Sequence, residues 1–153
     1  MIHLVTGGSG SGKSAYAEQC ILDFGGTRRV YIATMQPFGA EGQARIARHR
    51  KMRAAKKFST IECYTNLKEV ELEPGSDVLL ECMSNLTANE IFDPSGAGKA
   101  RAEEEILAGV SRLAYQARNL VLVTNEIFSD GYRYEEELSL IHISEPTRRS
   151  YIS

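Results

Sequence analysis

The sequence predicts an α/β fold, a mainly parallel central sheet with helices on both faces. Two observations carry this. Short apolar runs of strand length recur along the chain, and segments of helical composition separate them, which is the pattern of βαβ units. Short apolar strands of this kind imply a parallel sheet covered on both faces. The chain has 153 residues, about one domain at roughly 150 residues per domain. It shows no internal repeat and no interdomain linker.

IHLVT (Ile2–Thr6) is short, apolar and ended by glycine, and reads as a buried strand. Ser11–Phe24 reads as a helix with Ala15, Ala17, Cys20, Ile21 and Phe24 turned inward, stopped by Gly25-Gly26. Arg29–Met35 is a second strand. Glu41–Lys57, rich in Ala and Arg, reads as a helix. Phe58–Tyr64 is a third strand, followed by a short helix at Asn66–Val70 and a turn at Pro74-Gly75. Asp77–Met83 is a fourth strand, Asp93–Lys99 a polar loop, Ala100–Arg118 a long helix and Asn119–Glu126 a fifth strand.

Composition excludes several classes. Hydrophobic residues make up 42% and charged residues 25%, close to a globular average. Lys plus Arg total 18 against 20 Asp plus Glu, so no basic excess points to nucleic acid. Cys20, Cys63 and Cys82 are widely spaced and odd in number, which fits neither a disulfide framework nor a zinc pattern. A cytoplasmic location is therefore expected. The N-terminus does not read as a signal peptide, and no apolar run approaches the roughly 20 residues of a membrane helix.

Gly7-Gly8-Ser9-Gly10-Ser11-Gly12-Lys13-Ser14 fits G-x-x-x-x-G-K-[ST] without a mismatch, after a strand and before a helix. Glycines let backbone amides converge on phosphate oxygens, and the helix N-terminus adds a favourable dipole. Lys13 is expected at the terminal phosphates and Ser14 on Mg²⁺. The fold is thus P-loop NTPase-like. The loop alone does not choose between kinase, ATPase, GTPase and transferase.

Glu62, Glu81 and Glu126 each end a strand, where ligands of parallel sheets sit. Glu81 and Glu126 suit Mg²⁺, nucleotide hydroxyls or the substrate. A solvent-facing strand end is the plain alternative for all three. RIARHRKMR (Arg45–Arg53) carries five cations and His49. Arg45, His49 and Arg53 recur at i, i+4 and i+8 and share a helix face, with Arg48 close to it. It is either a solvated basic face or a grip for polyphosphate. In the second case neighbouring charges disfavour imidazolium, and neutral His49 suits a nucleophile. His3, in the first strand, reads as structural.

GGSGSGKS, YIATMQ, RIARHRKMR, TIECYTNL, VLLECMSNL and LVLVTNEIFSDGYRYEEEL occur in an order that resembles the adenosylcobinamide kinase/adenosylcobinamide-phosphate guanylyltransferase family of late cobalamin biosynthesis. The resemblance covers Met1 to about Glu137. It implies two reactions: a nucleoside triphosphate phosphorylates adenosylcobinamide, then GMP passes from GTP through a histidine to the new phosphate. It implies His49 as that histidine. It associates GTP with Gly7–Ser14, with Ala33, Thr34 and Met35, with Arg50, Lys51, Met52 and Arg53, and with Glu62 and Glu81. It also implies a homo-oligomer, a trimer, and leaves open whether ATP or GTP is the kinase donor.

The chain departs from the family pattern after about Glu137. LSLIHISEPTRRSYIS resembles translated sequencing-adapter read-through, so 1–137 is expected to be an incomplete P-loop domain and 138–153 a poorly ordered, non-native tail. Two alternatives stay open: a different small-molecule P-loop kinase, or a nucleotide-binding module inactive through truncation.

Overall fold

The structure, a computed structural model, describes residues 1–8, 10–37, 39–125 and 147–152. Six strands and four helices follow one another in these residues. They are β1 (Ile2–Gly7), α1 (Lys13–Asp23), β2 (Arg28–Ala33), α2 (Gly39–Ala55), β3 (Phe58–Glu62), a 3₁₀ turn (Leu67–Glu69), β4 (Ser76–Glu81), α3 (Met83–Phe92), α4 (Ala102–Gln116), β5 (Asn119–Asn125) and β6 (Thr147–Ile152). The strands form one sheet in the order β3-β2-β4-β5-β1-β6, and every pairing is parallel.

Alternate residues of each strand feed two apolar layers. Leu4, Ile32, Leu80 and Leu122 pack with Met83 and Leu86 of α3 and Ile106, Val110 and Leu113 of α4. Val5, Tyr31, Leu79, Val121 and Val123 pack on the opposite face with Ala17 and Ile21 of α1. Helices thus cover both faces, as expected. Of the expected inward positions of α1, Cys20 and Phe24 are only partly buried and Ala15 is exposed. Ala15 is two residues from the buried pair Lys13 and Ala17, half a turn round the helix.

Two elements differ from expectation. Helix α3 stands where no helix is read from the sequence. It buries Met83, Leu86 and Glu90, and Glu90 is held by the amides of Asn66 (3.1 Å) and Ala97 (3.0 Å). The expectation of a poorly ordered 138–153 fails for Thr147–Ile152, which pair with β1 from Ile2↔Thr147 to Gly7↔Ile152. Pairing runs through the backbone, so it needs no apolar run, and Pro146 precedes this strand rather than interrupting it. Residues 138–146 and 153 lie outside the described residues.

Registry positions the site. Ala33 pairs with Glu62 on one side and with Glu81 on the other. The two acids therefore stand level, two strands apart, with Cα atoms about 10 Å from each other. The P-loop leaves β1 beside β5, at Gly7↔Asn125. Helix α2 is tethered at its end: Lys56 pairs with Glu18 of α1 at 3.0 Å, and its carbonyl accepts from Arg29 of β2 at 3.0 Å. No described helix is long and apolar enough to cross a membrane.

Candidate active site

The loop between β1 and α1 is shaped by its glycines. Gly12, the residue before α1, has φ 87°, and no side chain caps the helix start. A side chain there would be strained, while the helix amides and dipole are left facing outward. A Cβ on Gly7 would meet Ile152 O and Ser11 Oγ, so only glycine fits between β6 and the loop. Lys13 is 9% exposed, and its Nζ donates to Gly8 O at 3.0 Å. Ser14 is exposed.

A cavity of about 200 Å³ opens beside this loop. Lys13 and Ser14 line it together with Ala33 at the end of β2 and Met35 beyond it, Glu62 and Glu81 at the strand ends, and Arg45, His49 and Arg53 of α2. The i, i+4, i+8 face of α2 is therefore turned to the P-loop rather than to bulk solvent alone. Arg45 and His49 are exposed, whereas Arg53 is 7% exposed. The Arg53 guanidinium carbon lies 3.6 Å from the Tyr31 ring centroid, a cation–π contact.

Tyr31 in turn donates its hydroxyl to Glu81 Oε2 at 2.7 Å. Burial first, and then the Glu81 carboxylate, push the phenol far above its ordinary range, so it stays a donor. The other carboxylate oxygen, Glu81 Oε1, and Arg53 Nε are buried and have no hydrogen-bond partner among the described residues. Leaving such atoms unpaired costs about 1–3 kcal/mol each, and unpaired buried groups gather where a ligand completes them.

Several expected contacts fall elsewhere. The Thr34 hydroxyl is fully buried. It donates to Cys82 O at 2.8 Å and Glu81 O at 3.1 Å, and it accepts from Cys82 N at 2.8 Å. It holds the end of β4 and is not turned into the cavity. Arg50 pairs with Glu62 and lines a neighbouring depression with it. Lys51 and Met52 are exposed and line no part of the cavity; Lys51 lies on the far side of α2 from His49, and Met52 stands on the flank of the His49 face. Ser9 and Glu126 lie outside the described residues, and so does His142. His3 is buried and bonds Ser150 Oγ at 2.9 Å, a structural setting.

Sequence reasoning missed Tyr31, Tyr64, Cys82, Asn85 and Asn125, which also line the cavity. Tyr64, Cys82 and Asn125 stand just past or at the end of a strand, the signal used for the three acids, and Asn85 stands in the first turn of α3. Tyr31 is hidden inside an apolar strand. Cys82 is an unreactive neighbour, since burial raises its thiol pKa.

The donors fit a hard cation. A hydroxyl at Ser14 and a half-unpaired carboxylate at Glu81 are oxygen ligands. Among the described residues no group of three His, Cys, Asp or Glu side chains stands ready for a metal. Few protein ligands suit Mg²⁺, which keeps waters and takes the rest from substrate phosphates.

Cations grouped around oxygen donors at the carboxyl ends of a parallel sheet, beside a P-loop, mark a protein that binds nucleotide phosphates and transfers them. Comparison narrows that class. Residues 3–142 match the family described as cobinamide kinase/cobinamide phosphate guanyltransferase, and the chain belongs to it. It is 35% identical over 140 residues to the bifunctional adenosylcobalamin biosynthesis protein CobU of Escherichia coli (strain K12), covering 83% of this chain and 76% of the relative. It is 36% identical over 140 residues to the protein of the same name from Salmonella typhimurium (strain LT2), with the same coverage of each chain. The resemblance seen in the motifs is thereby borne out.

Proposed function

We propose that the chain phosphorylates adenosylcobinamide with a nucleoside triphosphate and then transfers GMP from GTP to the product through His49, giving adenosylcobinamide-GDP. The observation that carries this reading is the meeting of His49 with Lys13 and Ser14 on the walls of one cavity. A simple P-loop kinase needs no nucleophilic histidine facing its phosphate loop.

In the nucleotidyl step a His49 ring nitrogen attacks the α-phosphorus of GTP. A phosphorus–nitrogen bond forms, the bond to pyrophosphate breaks, and the ring loses its N–H proton. Arg45 and Arg53 neutralise the departing pyrophosphate, and the P-loop amides with Lys13 bind the phosphates. An oxygen of the acceptor phosphate then attacks the same phosphorus, releasing the imidazole. Ser14 and Glu81 would hold Mg²⁺, which supplies charge stabilisation on the phosphates when bound; Glu126 is a further proposed ligand. Ala33 and Met35 line the cavity without a charge. Thr34 acts by positioning Glu81 and Cys82. Arg50 positions Glu62, and Lys51 and Met52 are assigned no contact. GTP serves the second step, and either ATP or GTP the first. A cytoplasmic location, suggested by three free cysteines, and a homotrimer complete the proposal.

Incubation with α-labelled GTP tests it. The chain should take up acid-labile, base-stable label, and His49→Ala should take up none while keeping its denaturation midpoint, because exposed substitutions cost little stability. Full labelling of His49→Ala would remove His49 from the mechanism. GTP binding with neither label nor product would leave only a nucleotide-binding module.

A further inference from the structure

A second, larger cleft of about 780 Å³ adjoins the nucleotide cavity. Glu62 and Tyr64 line both spaces, so the two meet at this pair of side chains. The nucleotide cavity, at about 200 Å³, is smaller than the roughly 300–1,000 Å³ of small-molecule sites, while the cleft falls inside that range. Transfer between two substrates requires their reacting atoms about 3–3.5 Å apart. A bulky acceptor must therefore enter from a space that meets the nucleotide cavity, as this cleft does.

The lining decides what kind of molecule it takes. Ile61, Cys63 and Val70 make an apolar floor. Burial, and then the Glu90 charge, push the Cys63 thiol up to about 11, so that floor carries no charge near neutrality. Gln36 and Asn66 supply amide groups at the rim, which Ser95 also lines, and Glu69 and Asp93 supply carboxylates. No Lys or Arg lines the cleft among the described residues. A polyphosphate would be repelled there. A flat apolar ring that carries amides, neutral or cationic, finds a floor for its body and acceptors for its N–H groups.

We propose that this cleft seats the acceptor of the transfer, a corrin ring bearing carboxamide arms. Its hydroxyl or phosphate arm passes Glu62 and Tyr64 to reach the P-loop and His49. The assignment rests on the proposed function and adds to it where the second substrate lies and which residues hold it.

Ser95 provides the test because it is exposed and lies outside the nucleotide cavity. Its hydroxyl donates to Asp93 Oδ1 at 2.6 Å. Ser95→Trp fills the cleft, whereas Ser95→Ala removes only that hydrogen bond. Cobinamide affinity is measured by equilibrium dialysis, its KM by steady-state kinetics, and acceptor-free labelling by α-labelled GTP. Ser95→Trp should raise Kd and KM for cobinamide by about tenfold or more with labelling unchanged, and Ser95→Ala should leave all three near the parent. Glu69→Lys, on the 3₁₀ turn, is an independent second variant and should also weaken cobinamide binding without slowing labelling. Parental Kd and KM in Ser95→Trp and Glu69→Lys, with normal labelling and turnover, would overturn the cleft and leave the function standing. Equal losses in Ser95→Trp and Ser95→Ala would overturn it too, since the effect would then belong to the Asp93–Ser95 turn. A parent chain that neither takes label nor converts cobinamide would remove the function and this assignment with it.

Discussion

Replacing Arg53 with Gln should harm both stability and nucleotidyl transfer, whereas replacing Arg45 with Gln should harm only transfer. Both arginines face the same cavity, but their settings differ. The Arg53 guanidinium is 3.6 Å from the Tyr31 centroid and the residue is 7% exposed, which places the contact among desolvated cation–π pairs, at about 1–2 kcal/mol. Arg45 is exposed and has no such contact among the described residues. For transfer, each arginine offers a charge-assisted hydrogen bond worth about 1.5–3 kcal/mol, or about 10- to 150-fold in rate. Urea denaturation reads the first quantity and the time course of labelling by α-labelled GTP the second. Tyr31→Phe keeps the ring and should preserve the Arg53 stacking. Equal urea midpoints for Arg53→Gln and Arg45→Gln would refute the stacked, buried role of Arg53. Parental labelling rates in both would refute the phosphate role of the α2 face.

Lys13→Ala should lower nucleotide affinity and kinase rate by about tenfold or more, with a smaller change in melting temperature; parental affinity by fluorescent-nucleotide titration would count against the P-loop assignment. Gly12→Ala should cost about 1–2 kcal/mol, because a side chain at φ 87° is strained, and urea unfolding would show it. Ser150→Ala should destabilise the chain by about 1–3 kcal/mol, since the hydroxyl partners both His3 and Tyr16, and amides of Thr147–Ile152 should exchange slowly; exchange as fast as in a free peptide would contradict β6. His3 has a pKa lowered first by burial and then by Arg148. The unfolded chain therefore binds the extra proton more readily, so stability is full above the ordinary value of 6.5 and falls as pH drops below it. Urea midpoints measured on either side of that pH should differ in the parent and converge in His3→Gln.

The P-loop was legible because all its chemistry lies in eight consecutive residues, Gly7–Ser14. The central strands were legible because burial on both faces demands apolar runs, and Ile2–Gly7 or Asn119–Asn125 satisfies that locally; the edge strand β3, with only Phe58 buried, carried a weaker signal. The face of α2 was legible as well, since three and four residues are one turn and Arg45, His49 and Arg53 follow that period. Helix α3 was harder to see: its buried residues are Met83, Leu86 and Glu90, and a buried glutamate reads as a surface residue until the amides of Asn66 and Ala97 are seen to hold it.

Only the tertiary structure decided which of those pieces meet. The period of α2 tells which residues share a face, but the helix must be placed on the sheet before Arg53 is buried against Tyr31 and Lys51 is left outside. Registry sets Glu62 and Glu81 level on either side of Ala33, and registry between parallel strands is a property of distant segments. The same holds for β6, whose backbone joins β1 across more than a hundred residues without an apolar pattern of its own. Local sequence dictates conformation and facing, because sterics and burial act on neighbours in the chain. Pairing order, registry and the cavities between elements depend on long-range packing, and they made a stripe of charges and a row of acids into the two adjoining spaces of a transfer site.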